Sequence, residues 1–273
     1  MKFAICNELF QDWPWEKSLE LSSKLGYTGW EIAPFTLGGD PTGVSARKRQ
    51  ELAETIRKAD TEVVGLHWLL AKTEGFHLTT DDASVRERTA AYLGDLVRLC
   101  RDLTGSVMVL GSPHQRNFPE SMTHEQADDN ALTVLEKVVP VLEKHDVTLA
   151  LEPLGPGEGN YWNEASQTVA VIERLASPNV KLHLDVKAMS TEPQPIANVI
   201  RANAEHMVHF HANDPNLLGP GMGDVPFEPI FQALKDVEYP GWVSVEVFDY
   251  APGIEEICQQ SMKNMQSALT EIS

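Results

Sequence analysis

Cysteine is scarce in this chain. Cys6, Cys100 and Cys258 are the only three among 273 residues, far apart and in no CxxC spacing. A disulfide framework and a thiolate-rich zinc site are therefore excluded. Basic charge is also short, with 22 Lys and Arg against 40 Asp and Glu, for a formal charge of −18. Such a balance repels polyanions, so nucleic acid is not an expected partner. The densest basic groups, "SARKRQ" and "VRER", sit beside acids in helical patterns and read as solvated helix faces. No apolar run approaches the roughly 18 residues of a membrane span. No signal-type apolar region or small-residue cleavage site follows "MKFAICNELFQDW". The expectation is a soluble, cytoplasmic protein with no membrane partner.

What the chain does contain is alternation. Short β-type runs occur at 2–6, 28–33, 62–68, 106–111, 147–153, 180–185, 207–212 and 242–248. Between them lie amphipathic segments such as "SVRERTAAYLGDLVRLCRDL" and "NALTVLEKVVPVLEKH", with apolar residues at the three- and four-residue steps of a surface helix. Eight such βα units in a chain near the roughly 250 residues of a typical barrel predict a (β/α)8 TIM barrel, one domain over 1–273. The alternative is an open doubly wound sheet. Against it, neither G-x-G-x-x-G nor G-x-x-x-x-G-K-[ST] follows any of the strand-like runs.

In a barrel the active site lies at the C-terminal strand ends, so the residues that terminate each apolar run matter most. Run five ends at Glu152, run six at Asp185, run seven at His211, and run eight reaches Glu246. Asp185 alone could serve as a helix N-cap, but four ligand-type residues in register point to a metal. Three carboxylates and one imidazole suit a hard divalent ion, with Mn²⁺, Co²⁺ or Mg²⁺ the best matches and Zn²⁺ also compatible. Strand alternation places His183 on the face of Asp185 and His209 on that of His211.

These motifs carry a resemblance. "ALEP" with Glu152, "HLDVKAM" with Asp185, "HFHANDPN" with His211, the loop "GPGMGDVPF" and "SVEVF" with Glu246 resemble the xylose isomerase-like barrel superfamily of sugar isomerases and epimerases. "GYTGWEIAP" and "GLHW" extend the likeness over nearly the whole chain. The resemblance implies one divalent metal held by Glu152, Asp185, His211 and Glu246. In its ketose 3-epimerase branch the matching glutamates also exchange a proton through a metal-stabilised cis-enediolate. Two carboxylates acting as base and acid on either side of an α-proton make chemical sense. Glu158 stands where that branch places a substrate-contacting glutamate. Ala188 stands where it carries a histidine, and no arginine occurs in "NDPNLLGPGMGD" where it usually supplies one.

Further candidates for a polyol pocket are His67 and Trp68 at run three, Arg116 and His114 after run four, His183, and Asp214, which with Asn216 also reads as holding the loop after run seven. Glu31 faces the pocket or pairs with a basic neighbour. Trp15 and Phe35 read as rim or core. Lys187 is a catalytic candidate that stabilises an enolate oxygen, protonates a leaving group or neutralises the carboxylates. The leading function is a metal-dependent isomerase or epimerase of a ketose or keto-polyol. The alternatives are a lyase or dehydratase on a keto-inositol or 3-keto-glycoside, an apurinic-type endonuclease and a non-catalytic sugar-binding barrel. The endonuclease needs a three-zinc cluster with more histidines, and Ala188 and Pro226 stand where two would fall. The expected partner is a small sugar or polyol, and related barrels are commonly homodimers or homotetramers.

Overall fold

The computed structural model describes residues 1–272. Eight parallel strands close on themselves in chain order: β1 (Lys2–Cys6), β2 (Gly29–Ile32), β3 (Glu62–Leu66), β4 (Val107–Leu110), β5 (Thr148–Leu151), β6 (Val180–Asp185), β7 (Met207–Ala212) and β8 (Trp242–Val245). Closure is made by β8 on β1, with Lys2 opposite Trp242 and Ile5 opposite Val245. The (β/α)8 barrel expected from the sequence is the observed fold. Among the described residues no helix is long and apolar enough to cross a membrane.

Helices cover the outside: α1 (Trp15–Leu25), α2 (Ala46–Lys58), α3 (Ala83–Asp102), α4 (His124–His145), α5 (Ala165–Leu175), the one-turn α6 (Val186–Met189), α7 (Ile196–Ala202), α8 (Glu228–Asp236) and α9 (Ile254–Glu271). Their ends follow local chemistry. Asp82 caps α3 by accepting the Ser84 and Val85 N–H groups. In α4, Thr123 and Gln126 form a reciprocal capping box, which starts the helix six residues before the apolar periodicity becomes visible at Asn130.

Outward-facing strand residues such as Leu149, Leu151, Leu182, Leu184, Val243 and Val245 are fully buried beneath these helices. Burying each contributes roughly 1.5–3 kcal/mol. The strand interiors differ from the apolar layers usual in this fold. Cys6, Glu31, His183, His209, His211 and Ser244 are all at most 1% exposed.

Two irregularities aim this polar interior. Strand register shifts between Trp30 and Glu31 against β3, and between Leu182 and His183 against β7. After the second shift His183 lies opposite His209, and Asp185 opposite His211. Such local slips re-aim side chains near functional sites. Gly65 has a simpler cause, because any Cβ there would collide with the Val107 carbonyl of β4.

Several strands are shorter than their apolar runs suggest. β3 ends at Leu66, not 68, and β8 at Val245, not 248. His67, Trp68 and Glu246 therefore lie just beyond the ladder, on the mouth side. Trp68 turns into the left-handed region at φ 52°, which ends the strand.

Candidate active site

Glu152 follows β5, Asp185 ends β6 and His211 lies in β7, so three adjacent strands deliver them to one spot. Glu152, His183, Asp185 and His211 each present a ligand-type atom within 4.8 Å of the others, and all four are buried. Glu246 joins them through His211, its Oε2 lying 3.2 Å from Nδ1. It also groups with Glu8 and His67 on the same 4.8 Å scale. The structure thus brings together the expected residues and adds His183. Gly111 makes room, since a Cβ there would strike the Glu152 carboxylate.

Crowded carboxylates raise one another's proton affinity. Burial, with Glu246 and Asp185 close by, holds Glu152 well above the usual carboxylate range. Burial and Glu246 push Asp185 up to about 6. Burial would also raise Glu246, but His211, His67 and a hydrogen bond from Trp68 outweigh it and bring it below its ordinary value. His183 has neither ring nitrogen hydrogen-bonded, although it is fully buried. Burial and the neighbouring His211 and His209 keep it neutral. Clustered carboxylates beside an unpartnered neutral imidazole are a donor set that a divalent cation satisfies, so the residues fit a metal of the Mn²⁺, Co²⁺ or Zn²⁺ type.

Asp185 and His211 are held from behind. Asp185 Oδ1 accepts the Ala188 N–H at 2.8 Å, which makes it the cap of α6 as well as a wall of the site. Asn213 donates to Asp185 Oδ2 and accepts the Lys187 N–H at 2.8 Å, tying the two together. Glu31 bridges His209 Nε2 at 2.8 Å and His211 Nε2 at 3.1 Å. That contact fixes the His211 ring and directs Nδ1 toward Glu246. Burial opposes the ionisation of Glu31, but His209 and His211 hold it well below the usual range. Cys6 packs 3.9 Å from His211, its thiol pushed up to about 12 by burial. Asn213, Glu8 and Cys6 escaped the sequence reading. Asn213 was within reach, two residues past His211 in the same motif.

The pocket above the cluster encloses about 290 Å³ and is lined by Glu152, Glu246, Trp68, Phe248, Glu158 and the Ser112–Gln115 turn, which includes His114. Trp68 stacks on Phe248 with ring centroids 6.0 Å apart and donates Nε1–H to Glu246 Oε1 at 2.6 Å. Glu158 accepts Lys187 Nζ at 2.5 Å, and that ammonium also sits 4.8 Å over the Phe248 ring.

Four expected substrate contacts lie elsewhere. His67 is fully buried behind Trp68, bonded to Glu8 Oε2 at 2.7 Å. Arg116 is 2% exposed and donates to the Glu152 backbone carbonyl at 2.6 Å, beneath the pocket rather than into it. His183 is fully buried, its Nε2 3.8 Å from Glu152 Oε1, and does not line the pocket. Asp214 accepts the Gly223 and Val225 N–H groups and so pins the loop after β7. For His67, Arg116 and Asp214 the position led to a supporting bond, and for His183 to full burial without one. Glu31, read as facing the pocket or pairing, pairs.

Sequence comparison agrees with this geometry. The pattern of the xylose isomerase-like TIM barrel family matches residues 19–268. A D-psicose 3-epimerase of Enterocloster bolteae is 26% identical over 257 residues, covering 91% of this chain and 82% of that protein. In fold, the structure of D-psicose 3-epimerase with D-tagatose from Clostridium cellulolyticum H10 has a TM-score of 0.83 at 22% identity, covering 100% of this chain and 98% of that one. The 3-keto-D-glucoside 4-epimerase of E. coli has a TM-score of 0.83 at 17% identity, covering 99% of each chain. With a closed eight-stranded barrel and a family pattern that runs through nearly its whole length, the chain belongs to the xylose isomerase-like TIM barrel family.

Proposed function

We propose that this protein is a divalent-metal-dependent sugar epimerase or isomerase, with residues 1–273 as one domain, acting on a ketose or keto-polyol by proton transfer next to the carbonyl. The observation that carries this reading is the pair Glu152 and Glu246, which line one sugar-sized pocket from β5 and β8 and are the only carboxylates there besides the Lys187-paired Glu158. Epimerase relatives over 91% of the chain support the reaction class. A metal held by Glu152, Asp185, His211 and Glu246, with His183 adjoining, would lower the energy of negative charge developing on the substrate oxygens.

The chain's own groups supply the proton traffic. Glu246, ionised and oriented by the Trp68 N–H, is placed to take a proton from one face of the substrate. Glu152, from the end of β5, would give one back from the other. Trp68 and Phe248 cover the apolar face of the sugar and exclude water. Lys187, engaged by Glu158, offsets the surplus of negative charge; the paired ammonium is poorly free to protonate a leaving group, which favours epimerisation over elimination. Ala188 stands at the position of the imidazole found in ketose 3-epimerases, so the proposed substrate is a class, ketose or keto-polyol.

The test is exchange of substrate C–H protons with deuterium oxide, followed by NMR with and without Mn²⁺ or Co²⁺. Metal-dependent exchange on at least one of a panel of ketoses, keto-inositols and 3-keto-glycosides is expected. Absence of exchange across the panel would remove the reading.

A further inference from the structure

The barrel mouth holds a second cavity beside the metal pocket. It encloses about 640 Å³, more than twice the 290 Å³ of the pocket, and the two share Trp68, Lys72 and Phe248 as a common wall. It opens over the loops after β1, β2 and β8 and over the start of α1. Four of the six tryptophans in the chain, Trp13, Trp15, Trp30 and Trp68, contribute to its lining, with Phe35 and Tyr250. The rim carries the exposed side chains of Gln11 and Asp12.

Trp13, Trp15 and Tyr250 pack against the core, Lys17 Nζ lies 3.2 Å over Trp13 and Lys72 Nζ 4.1 Å over Phe35, yet part of each ring stays accessible. Trp30 is 1% exposed and forms the base, but Trp13, Trp15, Phe35 and Tyr250 are only partly buried. Trp15 stands edge-on to Trp30 with centroids 5.1 Å apart, and Phe35 leans on Trp68 at 5.8 Å. Part-exposed aromatic faces rimmed by amide and carboxylate groups suit a ligand with apolar C–H faces and an equatorial ring of hydroxyls. Eleven described non-glycine residues have a positive φ, and three of them, Gln11 (φ 49°, ψ −118°), Trp68 (φ 52°) and Lys72 (φ 57°), border the cleft.

We propose that this cleft is a second sugar subsite, and that the substrate is a glycoside: the keto ring reacts in the metal pocket while a glycosidically linked second ring lies in the aromatic cleft. The proposal rests on the function argued above and narrows its substrate to a disaccharide-sized molecule. Binding the remote ring would serve turnover as well as affinity, because contacts far from the reacting carbon hold it in position.

Ligand-observed NMR titration of the metal-loaded protein separates the two ideas. The probes are maltose, cellobiose, trehalose and sucrose, with glucose and fructose as single-ring controls. At least one disaccharide is expected to bind about tenfold tighter than either monosaccharide, or about 1.4 kcal/mol. Trp15→Ala and Gln11→Gly should each remove that advantage and leave monosaccharide affinity within about twofold; the glycine variant relieves strain and so guards against a folding failure. Disaccharides that bind no tighter than monosaccharides, no measurable binding of any sugar, or an advantage that survives both variants would overturn the subsite. A disaccharide advantage without proton exchange on any carbonyl sugar would keep the subsite and remove the epimerase reading. Exchange on free ketoses without a disaccharide advantage would do the reverse.

Discussion

The two halves of the barrel mouth are built from different materials. On the β5–β8 side, strand ends carry Glu152, Asp185, His211 and Glu246, all buried, with Asp185 held by Asn213 and the α6 backbone and His211 by Glu31. On the β1–β3 side, aromatic rings dominate, part-exposed, with strained backbone at Gln11, Trp68 and Lys72. The first half concentrates charge at one point, where a misplaced atom alters every neighbour's proton affinity. The second offers broad faces, where geometry is tolerant and area matters. On the proposed function and subsite, reaction and recognition fall to opposite walls, joined by the Trp68–Phe248 stack.

If that division holds, changes to the carboxylate side should alter chemistry and metal while leaving sugar contacts intact. Glu246→Gln is expected to lower the proton-exchange rate about 10²–10⁴-fold, with an unchanged circular dichroism spectrum. Turnover retained in that variant would take Glu246 out of the proton-transfer role. Next comes Asp185, whose effect is on stability and pH. In the metal-free protein its carboxyl is raised from 3.8 to about 6, so the native state keeps this proton longer than the unfolded chain does. Its contribution is fully present below pH 3.8 and is lost as pH rises through about 6. Relative to Asp185→Asn, the wild type should therefore weaken by on the order of 3 kcal/mol across that window, read by urea unfolding at stepped pH in chelator. Added Mn²⁺ should shrink the difference, because binding favours the ionised carboxylate.

Glu31→Gln comes third. Loss of the charge behind His211 should weaken Mn²⁺ binding about 10–100-fold by calorimetry. The variant should keep the same disaccharide-to-monosaccharide preference, since Glu31 contacts His209, His211 and His67 and lines neither cavity. A changed preference would mean that the two walls are mechanically coupled. The smallest effect is expected at the joint. Trp68→Phe keeps a ring against Phe248 but removes the N–H that Glu246 accepts at 2.6 Å. A hydrogen bond to a charged group of about 1.5 kcal/mol corresponds to about a tenfold fall in kcat/KM. The acid limb of the pH profile should move to higher pH, because losing the donor raises the Glu246 pKa.

The two halves were also unequally legible. β6 and β7 begin and end where their apolar runs do, and the residues that close them, Asp185 and His211, meet in the structure. Alternation along a strand is a rigid geometric rule, so inward residues at strand ends can be listed from sequence with little freedom. The fate of an inward residue is another matter. His67, His183 and Arg116 all belong to the right layer, yet Glu8 and the Glu152 carbonyl claim His67 and Arg116, and His183 is fully buried. Sequence spacing ranks residues by height along a strand and by face, but it does not reveal who reaches whom across the barrel. Glu31 and His209 are 178 positions apart and 2.8 Å apart in space.

The order of residues settled the repeating βα architecture, because apolar periodicity and its interruptions are local properties. It also pointed to four ligand-type residues, Glu152, Asp185, His211 and Glu246, since each lies at or near the end of its own run. Tertiary closure decided the rest. The register slips at Glu31 and His183, the capture of buried imidazoles by carboxylates from other strands and the aromatic cleft all arise where segments distant in sequence pack together. Each of these depends on distances between segments that share no local pattern, and only a closed barrel sets those distances.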